Sequence, residues 1–282
     1  MRRRVTISPL RWPGGKGQLY APVRALLREH GLTGGHVVEP YAGGAGLSLA
    51  LLVTGQVERI TLNDLDPAVY AFWATAVAEP DRYVDAVRTV PLTIDEWDRQ
   101  KEIYRSGTAS GFDLGFAAFY LNRTNHSGVL RANPIGGRDQ TGRWLIDARF
   151  PREGLAERFR LLGLYAERIT VTCRDGADVV RESAHDPDTF LFVDPPYVTK
   201  ADTLYRSHFA DQHHVRLAAA LNEHADAKWL LTYDDEPPIP DLYRARHRAP
   251  LPMRYSGHRP GHTTELVIFS DALARVAAAD VA

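Results

Sequence analysis

The chain has 282 residues, and 34 Lys and Arg stand against 35 Asp and Glu, so the formal net charge is −1. A hydrophobic fraction of 44% and a charged fraction of 24% exclude a disordered or fibrous protein, and the single cysteine, Cys173, excludes an internal disulfide and a cysteine-rich zinc site. No run of about 18 uncharged apolar residues occurs, and prolines interrupt the basic start, so we expect a cytoplasmic protein without a membrane span or secretion signal.

Short apolar segments rich in β-branched residues alternate with helical patterns along most of the chain. Strands are predicted at 36–39, 59–62, 168–172, 190–193, 229–232 and 265–269. Helices are predicted at 46–54, 67–78, 151–167 and 211–225. This alternation predicts an α/β fold with a mainly parallel sheet.

About a hundred residues separate the second and third predicted strands, which is too many for one crossover helix. We therefore expect an inserted subdomain at 79–165 and a main domain formed by 1–78 and 166–282. Arginines accumulate in the second half of the insertion, at Arg123, Arg131, Arg138, Arg143, Arg149 and Arg152. A second basic stretch lies at 244–262. On a chain without a net positive charge, such local patches suit contacts with nucleic-acid phosphates.

An acid, two prolines and a tyrosine come directly after the apolar segment 190–193. Asp194 thus lies at the carboxyl end of a predicted strand, which is where ligands bind in open α/β sheets. Pro195 and Pro196 force the following backbone out of regular structure. The Asp194 carboxylate and the Pro195 carbonyl are two acceptors that suit the exocyclic amino group of adenine or cytosine, and the Tyr197 ring beside them is expected to be a stacking surface for the base. A turn with a solvated aspartate is the alternative.

Two further motifs precede and follow the first strands. The glycine-rich turn EPYAGGAG at 39–46 either lets a ligand approach the backbone or serves close strand-helix packing. Asp64 ends the second predicted strand, where an acid is placed to hold ribose hydroxyls in folds that bind NAD or S-adenosylmethionine. Before any strand, WPGGK at 12–16 joins an aromatic ring to a cation, a pattern that an ordinary loop also shows.

In this order, the motifs resemble those of the Dam-type (alpha-group) site-specific DNA adenine N6-methyltransferases over nearly the whole chain. The segment 12–16 is similar to the family's N-terminal element, 39–46 to its cofactor loop, 63–64 to its ribose-binding acid and 194–197 to its DPPY motif. The resemblance implies a Rossmann-like, S-adenosylmethionine-dependent methyltransferase fold. Its seven-stranded, mostly parallel sheet would carry an inserted, mainly helical target-recognition subdomain.

The resemblance also assigns the residues of the site. The catalytic residues would be Asp194, Pro195, Pro196 and Tyr197. The cofactor S-adenosylmethionine would be held, without a metal ion, by Trp12, Lys16, Glu39, Tyr41, Gly43, Gly44, Gly46, Asp64, Asp175 and Asp194. Asp175 would lie near the adenine of the cofactor.

Within the insertion, LNRTNHSGVLR at 121–131 is similar to the family hairpin that enters the DNA, and 255–268 is similar to its last hairpin. The DNA-binding residues implied are Arg11, Arg123, Asn125, His126, Ser127, Arg131, Arg138 and Arg259. Two of these depart from the family pattern, since His126 replaces a usual intercalating aromatic residue and Ser127 a usual asparagine. The family's target sequence is therefore not carried over.

The implied reaction is methyl transfer to the N6 amino group of adenine in a specific double-stranded DNA sequence, by base flipping and direct in-line displacement. The alternatives are a cytosine N4 DNA methyltransferase and a non-catalytic cofactor- and DNA-binding regulator. A NAD-dependent dehydrogenase fits the glycine spacing poorly, and Cys173 lacks the preceding proline that cytosine C5 methylation uses. Besides DNA, a cognate restriction endonuclease is a candidate partner, as in restriction-modification systems.

Overall fold

The computed structural model describes residues 7–12, 14–197, 211–255 and 261–274. Helices lie at Tyr20–Glu29 (α1), Gly46–Val53 (α2), Pro67–Ala78 (α3), Pro80–Thr89 (α4), Ile94–Arg105 (α5), Gly111–Thr124 (α6), Arg152–Leu164 (α7), Gly176–Ser183 (α8), Asp211–Glu223 (α9) and Ile239–Leu242 (α10). Strands lie at His36–Glu39 (β1), Arg59–Asn63 (β2), Ile169–Thr172 (β3), Thr189–Val193 (β4), Lys228–Asp234 (β5), His247–Tyr255 (β6) and Gly261–Phe269 (β7). Short 3-10 turns lie at Gly17–Leu19, His126–Gly128 and Ala166–Arg168.

The strands form one seven-stranded sheet in the order β3-β2-β1-β4-β5-β7-β6. Strand β1 pairs in parallel with β2 and β4, and β4 pairs in parallel with β5. Strand β7 runs antiparallel to both β5 and β6. The predicted α/β fold with a mostly parallel sheet is confirmed, and the parallel pairing brings the carboxyl ends of β2, β1, β4 and β5 to one edge.

Strand β6 is an element that the sequence patterns do not predict. Pro250 and Pro252 interrupt its apolar pattern, and a proline cannot donate a hydrogen bond to a sheet. The structure accommodates both prolines because, among the described residues, β6 is the last strand of the sheet and pairs with β7 alone. An edge strand tolerates proline on its open side.

The chain divides into two compact units. The first contains Met1–Gly15 and Pro67–Val171, and the second contains Lys16–Asp66 and Thr172–Ala282. The predicted insertion at 79–165 lies within the first unit, which also includes α3. Helix α3 joins this unit because its buried Phe72 packs among Tyr83, Phe119 and Phe159 of the inserted helices.

Aromatic packing forms the core of the first unit. Phe72 of α3 stacks on Phe119 of α6 with ring centroids 5.9 Å apart, and Tyr83 of α4 stacks on Phe159 of α7 at 4.7 Å. Gly115 of α6 permits a close helix contact, since a Cβ there would lie 2.7 Å from the carbonyl oxygen of Ala71. The inserted region is therefore mainly helical, with a core of its own.

The second unit is built on the parallel part of the sheet. All five residues of β4 are buried, as expected for a central strand covered on both faces. On one face, Leu191 and Leu231 pack with Val180 of α8 and Leu217 of α9. Among the described residues, no helix is long and apolar enough to cross a membrane.

Candidate active site

A buried polar cluster lies where β4 ends, around Asp194. The ammonium nitrogen of Lys16 is 2.8 Å from Oδ1 and 2.9 Å from Oδ2 of this carboxylate. Oδ1 also accepts hydrogen bonds from the hydroxyls of Thr232, at 2.6 Å, and Tyr197, at 3.2 Å. The Asp194 side chain is 23% exposed, whereas the Lys16 side chain is 4% exposed. Asp194 is therefore the member of the pair that reaches the surface.

Tyr197 is turned inward, which corrects the expectation of an open stacking surface. The residue is 7% exposed, and its ring packs 5.8 Å from that of Tyr233 within the apolar core. The single proton of its hydroxyl is shared between the carboxylate of Glu265, at 2.6 Å, and that of Asp194, at 3.2 Å. Burial, with the nearby charges of Asp194 and Glu265, raises the pKa of Tyr197 well above its usual value. Pro195 and Pro196 are buried too.

Two residues of this cluster, Thr232 and Glu265, are not predicted by the sequence motifs. Thr232 lies near the end of β5, one position beyond the residue that pairs with Val193. Glu265 lies on β7, is 2% exposed, and has a carboxylate oxygen 3.6 Å from the Lys16 nitrogen. The available signal is an acid within the otherwise apolar strand segment ELVIF at 265–269, where a buried charge requires a partner.

Glu39, at the end of β1, faces the start of helix α2. Its Oε1 accepts a hydrogen bond from the backbone N–H of Ser48 at 3.2 Å, so the carboxyl group caps the helix. Glu39 is 3% exposed, and this burial raises its pKa to about 8. The charge of Asp194 contributes to the same shift, which relates Glu39 to the polar cluster at β4.

Asp64 closes onto the glycine-rich turn from the end of β2. Oδ2 accepts from the N–H of Gly43 at 3.0 Å, and Oδ1 accepts from the N–H of Asp66 at 3.0 Å. Burial raises the pKa of Asp64 to about 7. Gly43 and Ala45 both have left-handed backbone conformations, with φ of 45° and 48°, so the turn bends sharply between β1 and α2. Gly44 is buried, and Gly46 is exposed at the first position of α2.

Asn63 holds the ends of β1, β2 and β3 together. Its amide nitrogen donates to the carbonyls of Pro40 at 2.8 Å and Arg174 at 2.9 Å. Its amide oxygen accepts from the Thr172 hydroxyl at 2.8 Å and the Arg174 N–H at 3.0 Å. The fully buried side chain thus uses both donors and both acceptor positions within the protein. These contacts fix the end of β2 at the residue before Asp64.

Asp175 and Tyr41 meet at the start of helix α8. Asp175 caps the helix through a 2.9 Å hydrogen bond from the N–H of Ala177, and its other oxygen pairs with Arg216 at 3.2 Å. Tyr41 packs over Gly176, where a Cβ would lie 2.3 Å from the ring. Burial and then the charge of Asp175 raise the pKa of Tyr41. Trp12 belongs to the first unit, where its carbonyl accepts from Gly15 at 3.2 Å.

The predicted DNA-entering segment folds as a short loop in the first unit. One antiparallel bridge, between Asn125 and Pro134, closes it. His126, Ser127 and Arg131 are exposed, and Ser127 has a left-handed backbone with φ of 56°. These three residues therefore lie on the surface of the first unit.

The prediction that Asn125 and Arg123 contact DNA is corrected, because both side chains are buried in the structure. Asn125 is 0% exposed, and its amide nitrogen donates to the carbonyls of Val129 and Leu130, each at 3.0 Å. Its oxygen accepts from the Trp97 indole at 2.6 Å, so Asn125 holds the loop in shape. Arg123 is 5% exposed and donates to the carbonyl of Pro9.

Arg123 belongs to a cluster of arginines that have no ion pair within the described residues. Arg158 donates to the carbonyl of Ser8 at 2.9 Å, beside the Pro9 carbonyl that binds Arg123. Burial, with the charges of Arg158, Arg11 and Arg149, lowers the pKa of Arg123. The Nε of Arg123 is buried without a hydrogen-bond partner. Buried positive charges without an ion-pair partner favour the binding of an anion.

The remaining predicted DNA contacts differ in their surroundings. Arg138 is exposed and pairs with Asp98 through two hydrogen bonds of 2.7 and 2.8 Å. Arg259 lies outside the residues that the structure describes. Within the described part of the chain, no group of three or more His, Cys, Asp or Glu side chains could hold a metal ion.

Comparison with known proteins identifies a family whose sequence pattern matches this chain. Residues 12–255 match the family described as “D12 class N6 adenine-specific DNA methyltransferase”. No curated protein matches. Among solved structures, the chain is similar to a “putative RNA methyltransferase PH1948 from Pyrococcus horikoshii”, with 12% identity, a TM-score of 0.42, and 93% of this chain and 88% of that chain covered. It is also similar to a “putative methylase HI0767 from Haemophilus influenzae”, with 11% identity, a TM-score of 0.33 and 88% of each chain covered.

Proposed function

Because this chain belongs to the D12 class of N6 adenine-specific DNA methyltransferases, we propose that it uses S-adenosylmethionine as its methyl donor and methylates an adenine rotated out of duplex DNA. The enzyme class implies a methyl donor and a DNA substrate. The identity of the donor, base flipping and the role of each residue belong to the proposal. One observation carries it: Asp194, the partly exposed carboxylate of a buried polar cluster, lies at the carboxyl edge of the sheet.

The donor set at this edge fits S-adenosylmethionine. Asp64 accepts one hydrogen bond on each oxygen, which leaves lone pairs for the two ribose hydroxyls. Asp194, Glu265 and Lys16 together carry one excess negative charge, which suits a cationic ligand. An added Cβ at Gly46 would meet nothing within 4 Å, so there is space for a ligand beside the glycine-rich turn. When bound, S-adenosylmethionine supplies an electrophilic methyl group on a sulfonium.

Asp194 would orient the amino group that receives the methyl. Within the described residues, Oδ2 accepts a single hydrogen bond, from Lys16, so it retains a lone pair for an N6 hydrogen of adenine. Lys16, Thr232 and Tyr197 hold the carboxylate in one orientation. With the Pro195 carbonyl as the second acceptor, Asp194 would draw the nitrogen lone pair out of the ring and stabilise the positive charge that grows on N6.

The first unit would bind the duplex. His126, Ser127 and Arg131 are exposed on its loop. The arginine cluster around Arg123 adds positive charge without a carboxylate to neutralise it in the described residues. Phosphate contacts of this kind fix the enzyme on DNA, and rotation of one base out of the stack costs a few kcal/mol.

The test is incubation of the purified protein with isotopically labelled S-adenosylmethionine and unmethylated genomic DNA, followed by nucleoside mass spectrometry. Asp194→Ala is run in parallel, with circular dichroism to confirm that the variant folds. We expect labelled N6-methyladenine with the wild type and none with the variant. Labelled N4-methylcytosine would show that the methylated base is cytosine instead of adenine. An active Asp194→Ala variant would exclude the proposed role of this carboxylate.

A further inference from the structure

A closed loop precedes helix α7 in the first unit, and Gln140 holds it in shape. The amide nitrogen of Gln140 donates to the carbonyls of Ile135 at 2.9 Å and Gly137 at 2.6 Å. Its amide oxygen accepts from the N–H of Ile146 at 2.9 Å. Gln140 itself has a φ of 50°, a left-handed conformation that is unfavourable for a residue with a side chain. These three hydrogen bonds stabilise the loop in one conformation.

The loop presents an indole to solvent. Trp144 is 61% exposed and Leu145 is 42% exposed, whereas Trp73, Trp97 and Trp229 are at most 1% exposed. The guanidinium of Arg143 lies 5.5 Å from the centroid of the Trp144 ring. A large aromatic side chain held open on an ordered loop is typical of a residue that becomes buried on binding.

The charge around this indole favours a polyanion. Arg131, Arg143 and Arg149 are exposed, and none makes an ion pair with another described residue. Arg138, in contrast, is neutralised by Asp98. A π face beside unpaired guanidinium groups is the combination that nucleic-acid-binding proteins use, since the ring stacks on a base while the cations contact phosphates.

We propose that Trp144 stacks on a base of the DNA duplex, with Arg143 and Arg131 on the adjoining phosphates. This inference rests on the proposed function, because it takes DNA as the bound partner. Every base offers a π face, so Trp144 contributes affinity and leaves the choice of target sequence to other residues. A ring that enters a duplex acts as a wedge that partly unstacks a base step.

Equilibrium binding without turnover tests this contact. The probe is a fluorescently labelled duplex of random sequence, because a base of any kind offers a π face to the indole. We expect Trp144→Ala to weaken binding about 5- to 150-fold, the equivalent of losing one stacked base, and Trp144→Phe to retain most of the affinity. The matched control is Leu164→Ala in the same unit, because Leu164 is an apolar residue with 79% exposure. It should bind DNA like the wild type.

Salt dependence separates stacking from phosphate contacts. Trp144→Ala should weaken binding equally at all salt concentrations, whereas Arg131→Ala should reduce the slope of log K against log salt by about 1. DNA binding should also quench the tryptophan fluorescence of Trp144, which is the part of the wild-type emission that is missing in Trp144→Phe. The inference would be overturned if the Trp144 variants bound DNA as tightly as the wild type and showed the same quenching on DNA binding. Methylation by the wild type would be unaffected by that outcome. Failure of the proposed function is distinct, since it would appear as wild-type protein that binds DNA but forms no N6-methyladenine.

Discussion

The phenol of Tyr197 donates to the carboxylate of Glu265 at 2.6 Å and thereby joins the segment after β4 to strand β7. The same carboxylate lies 3.6 Å from the ammonium group of Lys16, which also pairs with Asp194. Two carboxylates thus share one buried cation, and charge interactions are stronger in such surroundings than in water. The arrangement favours a positively charged ligand over a neutral one.

Glu265→Gln should reduce this preference. The amide retains an acceptor for Tyr197 but removes the excess negative charge. We expect the affinity for cationic S-adenosylmethionine to fall about tenfold, while the affinity for S-adenosylhomocysteine, which lacks the sulfonium charge, stays unchanged. Isothermal titration calorimetry measures both. Thr232→Val is the control, because it removes a hydrogen bond to Asp194 without a change in charge. Equal weakening of the two ligands would argue against the electrostatic account.

Glu39 should make the stability of the protein depend on pH. Burial raises its pKa from 4.5 to about 8, so between these values the folded state binds a proton that the unfolded state releases. The contribution of Glu39 to the free energy of unfolding therefore decreases as pH rises through this window, by up to about 1.4 kcal/mol per pH unit. Glu39→Gln removes the titration.

Urea unfolding at pH 5, 6, 7 and 8 measures the effect. The free energy of unfolding of Glu39→Gln should rise relative to that of the wild type from pH 5 to pH 8. Glu157→Gln replaces an exposed residue of α7 and serves as the control, which should follow the wild type. A constant difference between Glu39→Gln and the wild type at all four pH values would exclude Glu39 as the source.

Two helical glycines of the first unit should respond to alanine in opposite ways. A Cβ at Gly115 would lie 2.7 Å from the carbonyl oxygen of Ala71 and 2.8 Å from the hydroxyl oxygen of Thr75, so helices α3 and α6 would have to separate. A Cβ at Gly154 would meet nothing within 4 Å. We expect Gly115→Ala to lower the free energy of unfolding by about 1–3 kcal/mol, and Gly154→Ala to raise it by about 0.5–1 kcal/mol. Thermal or urea unfolding measures both, and a stable Gly115→Ala variant would contradict the packing described.

Asn125 and Arg131 should separate loop stability from DNA affinity. Asn125→Ala leaves the buried indole N–H of Trp97 and two carbonyls without their partner, and we expect a loss of about 2–4 kcal/mol of stability. Arg131→Ala changes an exposed side chain and should weaken DNA binding without a change in unfolding. Unfolding and DNA titration of both variants measure this. The same loss of stability in both would show that Arg131 has a structural role too.

The parts of the site that follow directly from a strand could be predicted from the sequence. Glu39, Asp64 and Asp194 each end an apolar segment, and the pairing of parallel strands places such positions at one edge of the sheet. The alternation of helices and strands likewise predicted the fold class. In these cases a local pattern was sufficient, because regular structure determines where the next side chain lies.

The rest depends on contacts between segments far apart in the chain. The inward orientation of Tyr197 requires Glu265 as its acceptor, and Glu265 is tolerated in the core because Lys16 lies beside it. The burial of Asn125 depends in the same way on Trp97 of helix α5. A pattern that suggests a DNA contact is also compatible with a buried hydrogen-bonding residue, and tertiary packing decides between the two.

The prolines of strand β6 affect how the molecule behaves among its own copies. Pro250 and Pro252 stand two residues apart, and the pairing of β6 with β7 continues through both. Residues two apart direct their backbone nitrogens to the same side of a strand, and a sheet tolerates proline on the side that faces away from the neighbouring strand. An incoming strand at this edge would lose two of the hydrogen bonds on which sheet extension depends. The two prolines that prevent the prediction of β6 from the sequence thus also protect the enzyme against edge-to-edge aggregation.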